Sequence, residues 1–300
     1  MSSRRAPAQR PRASPGAVRP RAPKPAYGRP AAGATPPEDP RGSDVDEWGR
    51  SERARELARR IYGPAYSAWF RAEWEGIDKI PVTGGALLVG NHAGAIPSDA
   101  PVIMHGVETH LRRPVYALAH YWFRTIPVVG TWWSRLGGVA ARPDNAYRLL
   151  HDQGQLALVF PEGTKGPSKR YCERYQLRRF GRGGFVETAM RAGVPVVPIA
   201  IVGSEETMPV VWQLPRLAHA LGMPYFPVTA NMLVLGPLGT VVPFPAKLRL
   251  RVLDPVTFGV EADQDRYPKS KVMEESERIR QTMQAALYDM LSRRRSVWFG

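Results

Sequence analysis

Two short segments of the sequence combine residue types that could transfer a proton and bind an anion. The first runs from Gly90 to Asp99 and contains His92. A histidine titrates near neutral pH and can take the proton of a hydroxyl group, while a nearby carboxylate can hold the ring in one tautomer. Taken alone, the segment also fits a structural histidine followed by an aspartate that caps a helix. Further motifs must therefore decide between the two interpretations.

The second segment reads FPEGTKG from Phe160 to Gly166. Gly163 allows close backbone approach, Thr164 offers a hydroxyl and Lys165 offers a positive charge, so the turn could bind a phosphate. It is not a Walker A loop, because the G-x-x-x-x-G-K-[ST] spacing is absent. By itself it is a weak signal, since glycine and threonine are common in turns.

Seven basic residues lie within eighteen positions of this turn, opposed only by Glu173. Such a cluster predicts a focused positive field that attracts phosphates, anionic lipid or an acidic carrier protein, although a solvated loop is the alternative. The basic residues are Lys165, Lys169, Arg170, Arg174, Arg178, Arg179 and Arg182.

Alternating strand-like and helix-like patterns must position these groups. The 300 residues are 43% apolar, which is enough for a sizeable core. The pattern predicts an α/β fold with a mixed sheet flanked by helices. The predicted strands are 86–90, 115–119, 138–141, 156–160, 194–202 and 248–253, and the predicted helices are 100–111, 146–153, 185–192 and 271–294.

The N-terminal 42 residues differ in composition from the rest of the chain. They hold nine basic and two acidic residues and ten of the thirty prolines, which predicts a disordered basic tail. We expect a folded domain over 43–300, with an N-terminal amphipathic helix at 43–75, a catalytic α/β core at 76–265 and a C-terminal helix at 266–300. Ser43 or Asp44 is the predicted N-cap of the first helix.

The chain carries a net charge of +15 and one cysteine. The charge predicts attraction to anionic surfaces. The lone cysteine excludes a disulfide framework within the chain and any multi-cysteine metal site, and the spacing of His105, His110 and His120 does not suggest a metal site. We expect neither a metal nor a bound cofactor.

A stretch of thirty uncharged residues, 217–246, forms what we call the apolar lobe. Its length could span a bilayer, but five prolines interrupt it and would leave backbone amides unsatisfied in lipid. We therefore expect a surface lobe that covers the active site or enters one leaflet. The basic face of the first helix could either pack on the core or lie on an anionic bilayer.

Four blocks in order resemble the glycerolipid and lysophospholipid acyltransferase superfamily, which includes the 1-acylglycerol-3-phosphate acyltransferases. They are Asn91-His92 to Asp99, Gly138 to Arg142, Phe160 to Lys165 and Val194 to Pro198. The joint occurrence is far more specific than any single block. One departure is that six residues separate His92 from Asp99, where the family usually has four.

The resemblance implies direct acyl transfer from acyl-CoA or acyl carrier protein, as co-substrate, to a hydroxyl of a lysophospholipid or related glycerolipid. It implies His92 as general base, Asp99 as its partner, Arg142 and Lys165 at an acceptor phosphate, and Glu162, Gly163 and Thr164 shaping the acceptor site. No covalent acyl-enzyme is expected. We expect a peripheral or monotopic protein on the cytoplasmic face of the membrane.

Other functions remain open at this stage. A neutral lipid or glycolipid could be the acceptor. A non-enzymatic basic protein that binds membrane or nucleic acid would explain the charge but not the four ordered blocks, and we expect no specific nucleic acid partner. A serine hydrolase is disfavoured because no G-x-S-x-G motif is present.

Overall fold

A computed structural model describes residues 44–95, 98–119, 128–264 and 266–300. The predicted basic tail, residues 1–42, lies outside the described residues. Nine strands are present in the described part of the chain: β1 Glu73–Glu75, β2 Ala86–Gly90, β3 Val115–Ala119, β4 Gly138–Ala140, β5 Leu156–Val159, β6 Val196–Val202, β7 Val210–Gln213, β8 Pro227–Thr229 and β9 Arg249–Val252.

Nine α-helices connect or cover these strands within the described residues: α1 Glu52–Pro64, α2 Asp99–Leu111, α3 Val129–Arg135, α4 Pro143–Tyr147, α5 Gly184–Ala192, α6 Ser204–Thr207, α7 Pro215–Ala220, α8 Ala230–Leu235 and α9 Lys269–Ser292. Single π-helical turns extend α1 over Ala65–Trp69 and α4 over Arg148–Asp152.

Seven strands form one sheet in the order β1-β9-β6-β2-β5-β3-β4, and β7 pairs with β8 in a separate two-stranded sheet. Strands β6, β2, β5, β3 and β4 run parallel, whereas β9 is antiparallel to β6. The predicted mixed α/β sheet is confirmed. Since parallel neighbours end at the same edge, the loops after β2, β4 and β5 all leave from one edge of the sheet.

The core lies on both faces of this sheet. Leu87 and Val89 of β2 pack into a cluster with α5 and α9, while Leu88 packs into a second cluster with α2. Burial on both faces explains the continuous apolar runs of the central strands. The sheet is therefore a rigid base for the loops at its edge.

The first helix begins later than the sequence predicts. Asp44 is not its N-cap, because Ser51 occupies that position and its hydroxyl accepts a hydrogen bond from the amide of Ala54 at 3.1 Å; Ser43 lies outside the described residues. The Asp44 carboxylate instead accepts hydrogen bonds from the Ser51 hydroxyl and the Arg53 amide, which supports the cap from outside. The helix therefore starts seven residues later than an Asp44 cap would place it, and Ser51 satisfies one of the unpaired amides of its first turn.

The face that α1 turns toward the core is basic. Arg55 is buried, with Nη2 2.5 Å from Glu108 Oε2 on α2, and Arg59 Nη1 lies 3.3 Å from the same oxygen. Leu57 and Ile61 are 48% and 70% exposed. The interpretation that this basic face lies on a bilayer is therefore wrong for these arginines, because they neutralise a buried carboxylate.

Candidate active site

His92 and Asp99 are brought together at the carboxyl end of β2. The His92 Nδ1 atom lies 2.9 Å from Asp99 Oδ2, and Asp99 is fully buried while the His92 side chain is 19% exposed. A carboxylate accepts hydrogen bonds, so the ring donates from Nδ1 and presents Nε2 as its free acceptor. This is the arrangement that a general base needs.

The six-residue spacing does not separate the pair. Asp99 is the first residue of α2, and its Oδ2 also accepts a hydrogen bond from the amide of Ala93 at 2.9 Å. The chain therefore folds back on itself between the two residues. Ala95, between the two residues, is buried, and its carbonyl accepts a hydrogen bond from the Tyr225 hydroxyl at 3.1 Å.

Neighbouring residues hold His92 from two sides. Buried Asn91 bonds both backbone groups of Ile201 on β6, at 2.7 Å to its amide and 3.0 Å to its carbonyl, which ties the loop to the adjacent strand. The His92 ring stacks on Phe160, with centroids 4.3 Å apart and planes at 17°. Asn91 and Phe160 thus fix the place of the His92 loop and of its ring.

Glu162 joins the two predicted segments. It is buried, and its Oε1 accepts a hydrogen bond from the His92 amide at 3.0 Å, while Oε2 accepts one from the Arg178 amide at 2.8 Å. The loops also touch through backbone, because a Cβ placed on Gly166 would lie 2.5 Å from the His92 carbonyl oxygen. The close approach that the sequence suggested at Gly163 occurs at Gly166.

Gly163, Thr164 and Lys165 form an exposed 3₁₀ turn beside this contact. Gly163 has a φ of +57°, a left-handed conformation that favours glycine, and a Cβ there would meet open space. The turn therefore presents the Thr164 hydroxyl and the Lys165 ammonium to solvent at the same edge as His92.

Arg142 lies farther away than the other predicted site residues. It follows β4 as an exposed residue, and β5 and β3 separate β4 from β2. Three strand spacings amount to about 14 Å. Arg142 shares the edge with His92, but among the described residues no hydrogen bond or ion pair joins it to His92, Asp99 or Glu162.

Lys169 and Glu205 are buried charged residues near Glu162, and the sequence did not identify them as site residues. Lys169 is buried, with Nζ 3.4 Å from Glu162 Oε2 and 3.1 Å from Glu205 Oε1. Lys169 therefore does not add to the exposed positive field that was predicted, and Arg178 is likewise paired with Glu173. A cluster of basic residues in the sequence does not show which of its lysines is buried.

The apolar lobe contacts the loop that carries His92, and the chain just before the lobe contacts that loop and Ser168. Ala95 packs with Met208 and Val210, which lie just before the lobe. The side-chain amide of Gln213 donates a hydrogen bond to the Ser168 carbonyl at 3.1 Å. Burial raises the pKa of Tyr225, within the lobe, to about 12, so its hydroxyl stays protonated and can donate to Ala95. The lobe thereby braces the loop that carries His92.

The described residues contain no helix long and apolar enough to cross a membrane, and no group of three or more potential metal ligands. His105 is buried against the rings of Tyr62 and Tyr66, which confirms its interpretation as a structural histidine. His120 and Trp122 lie outside the described residues.

Comparison with known proteins agrees with the geometry. The profile of the Acyltransferase family matches residues 71–202. An uncharacterised protein of Mycobacterium tuberculosis is 38% identical over 261 residues, covering 85% of this chain and 72% of the relative. An uncharacterised protein of Mycobacterium leprae is 40% identical over 259 residues, covering 85% and 70%.

More distant relatives have descriptions that name an activity. A Bos taurus protein described as a DGAT1/2-independent enzyme synthesizing storage lipids is 23% identical over 241 residues, covering 78% of this chain and 64% of the relative. The fold is similar to that of the 1-acyl-sn-glycerophosphate acyltransferase PlsC of Thermotoga maritima, with a TM-score of 0.52, 22% identity and 80% coverage of each chain. The matched blocks, the fold and the relatives together place this chain in the glycerolipid acyltransferase superfamily, to which it belongs.

Proposed function

We propose that the protein transfers a fatty acyl group from a thioester to a lipid hydroxyl, with His92 as general base. The observation that carries the proposal is the 2.9 Å contact between His92 Nδ1 and buried Asp99, which leaves Nε2 free. The hydroxyl proton passes to Nε2 as the oxygen attacks the thioester carbonyl. The carbon–sulfur bond then breaks and the thiolate takes the proton from the imidazolium, so no covalent acyl-enzyme forms.

The exposed turn at Gly163–Lys165 is the proposed acceptor site. Thr164 and Lys165 stand free to meet a polar or phosphorylated head group, whereas Glu162 is occupied by two backbone amides and shapes the site from below. Arg142 reaches the same edge from β4 and would contact the outer part of a phosphorylated acceptor. The donor would be acyl-CoA or acyl carrier protein, whose acidic groups suit the exposed cations.

A neutral lipid alcohol is the second candidate acceptor. The pairing of Lys169 and Arg178 within the chain reduces the positive charge available to a phosphate. The relative described as synthesizing storage lipids agrees with that reading of the site. The two candidates differ in their dependence on Lys165, since only a phosphorylated acceptor needs its charge.

We also propose that the protein works at the cytoplasmic face of a membrane through its apolar lobe. Leu233, Val234 and Leu238 in the lobe are 71%, 71% and 67% exposed. Trp69, 43% exposed, adjoins the lobe by donating from its indole to the Pro243 carbonyl at 3.1 Å. Exposed aliphatic residues beside a tryptophan suit a lipid surface, and the +15 net charge favours anionic lipid.

The test is acyl transfer by the purified full-length protein. Labelled acyl-CoA and acyl carrier protein are offered with lysophosphatidate, monoacylglycerol and diacylglycerol, and products are read by lipid mass spectrometry. We expect product with the wild type, none above background with His92→Ala, and wild-type product with His110→Ala, an exposed histidine on the same helix as Asp99. Unchanged activity of His92→Ala would refute the proposal.

Replacement of Lys165 by methionine separates the acceptors. If the acceptor is phosphorylated, kcat/KM falls about tenfold or more for lysophosphatidate. If it is neutral, the wild type prefers the acylglycerols and the substitution changes little.

A further inference from the structure

Lys169 is a buried lysine between two carboxylates. Its side chain is 1% exposed, and Nζ lies 3.1 Å from Glu205 Oε1, 3.3 Å from the carbonyl of Gln176 and 3.4 Å from Glu162 Oε2. Lysines are almost never fully buried unless they are paired. Its ammonium is therefore committed to groups within the chain and is not available to a substrate phosphate.

The carboxylate of Glu162 needs a compensating charge. It is 4% exposed, and its two oxygens accept hydrogen bonds from the amides of His92 and Arg178, which belong to different loops. An ionised carboxylate in such surroundings is unfavourable unless a cation compensates it. Lys169 is the cation in contact with Glu162 among the described ion pairs.

Glu205 anchors Lys169 to the sheet. It lies in α6, immediately after β6, and the same Oε1 that meets Lys169 also accepts a hydrogen bond from the Tyr175 amide at 2.9 Å. Burial raises the pKa of Glu205 to about 7 although Lys169 opposes the shift. A continuous chain of contacts thus leads from the end of β6 through Glu205, Lys169 and Glu162 to the backbone of His92.

We propose that Lys169 is a positioning residue that acts through Glu162 to hold the backbone of His92 in its reactive place. The inference rests on the proposed function and deepens it. Lys169 contacts no reacting atom, so it affects the placement of the base relative to the bound alcohol. A displacement of about 1 Å can lower a rate about a hundredfold. Loss of Lys169 therefore lowers kcat and leaves KM nearly unchanged.

The variants separate positioning from stability. Lys169→Met leaves two buried carboxylates facing each other and destabilises the fold. Adding Glu205→Gln removes one of those charges, so the double variant regains stability while Glu162 still lacks its cation. Lys269→Met, at an exposed lysine at the start of α9, is the matched control.

The readouts are thermal unfolding, kcat and KM for acyl transfer, and amide hydrogen exchange at His92 by NMR. For the double variant we expect a melting temperature between those of Lys169→Met and the wild type, a kcat reduced about 10- to 100-fold, a KM within about twofold, and exchange at His92 at least tenfold faster. The control variant matches the wild type in all four.

A folded double variant with wild-type kcat and wild-type exchange at His92 overturns the inference and leaves a purely structural role for Lys169. A raised KM with unchanged kcat also overturns it, because it indicates direct contact with substrate. If the wild type transfers no acyl group, the proposed function fails, and exchange at His92 alone then decides whether Lys169 positions that residue.

Discussion

Two regions of the molecule depart from ordinary burial in opposite ways. One is the edge of the sheet at His92, and the other is the apolar lobe. At the edge, Asp99, Glu162 and Lys169 are charged groups inside the protein. In the lobe, Leu233 and Val234 are aliphatic side chains that stand mostly in solvent. Each departure is unfavourable by itself, so each needs a compensating partner.

The difference lies in where the compensation comes from. At the edge it is internal, since backbone amides, the His92 ring and Lys169 contact the carboxylates. For the lobe we propose that it is external and is supplied by lipid. Under the proposed function, the buried charged residues at the edge hold His92 in place, and the exposed aliphatic residues of the lobe bring the protein to its lipid substrate.

Removal of the base at the edge has the largest expected effect. His92→Ala should lower kcat by about 10³-fold, because general bases contribute on the order of 10²–10⁴ to the rate. Vesicle binding through the lobe should not change. Steady-state acyl transfer measures the fall in kcat, and vesicle co-sedimentation measures membrane binding. Loss of vesicle binding in this variant would contradict the assignment of catalysis to the edge and of membrane binding to the lobe.

Asp99→Asn tests whether the buried carboxylate serves the histidine. The amide keeps the shape but can donate to Nδ1, which places the ring proton on Nε2 and blocks the base. We expect kcat to fall about 10²-fold with a melting temperature within a few degrees of the wild type. Activity equal to that of the wild type would show that Asp99 serves only the backbone of Ala93.

The lobe should respond to loss of apolar surface. The triple variant Leu233→Ser, Val234→Ser and Leu238→Ser should lower partition onto anionic vesicles about tenfold, because interfacial binding scales with buried apolar area. Its turnover of a short-chain, monomeric acceptor should stay near the wild-type value. Flotation with anionic vesicles measures the partition, and acyl transfer to the monomeric acceptor measures the turnover.

Two exposed valines provide the matched control for the lobe. Val234 is 71% exposed within the lobe, and Val82 is 66% exposed in the segment before β2, at the opposite edge of the sheet. Val234→Ser should weaken vesicle binding and Val82→Ser should not. Equal effects would contradict a lipid contact confined to the lobe.

The last expected effect is on the pH dependence of stability and involves neither turnover nor vesicle binding. Burial raises the pKa of Glu205 from 4.5 to about 7, so the folded protein holds this proton more tightly than the unfolded chain does. Its contribution to stability is therefore full below about pH 4.5 and is lost as the pH rises through about 7. Urea unfolding should show that Glu205→Gln removes a loss of about 3 kcal/mol over this range. An unchanged pH slope in the variant would contradict this.

The strands and the ordered motifs could be predicted because their signals are local. Residues 86–90 and 115–119 match β2 and β3, since a continuous apolar run between turn residues is typical of a buried strand. Short-range patterns could not place the first helix. Both Ser43 and Asp44 look like caps, and only the contacts of Asp44 with Ser51 and Arg53 show which residue performs that role.

The orientation of α1 and the fate of the basic segment depended on distant partners. Arg55 turns inward because Glu108, on another helix, is buried opposite it. Lys169 is buried because Glu162 approaches it from the turn after β5 and Glu205 approaches it from α6. No pattern within either segment contains those partners, so a helical wheel or a count of basic residues assigns these side chains to solvent.

The amino-acid sequence by itself determined the α/β class, the strands that end at the site and the identity of its chemical groups, because apolar periodicity and residue type are properties of neighbouring positions. Only the tertiary structure decided that Asp99 returns to His92 across six residues, that Glu162 binds the backbone of the base, and that Arg142 stands three strands away. Those facts depend on which loops share one edge of a folded sheet, and strand order arises from contacts between residues far apart in the chain.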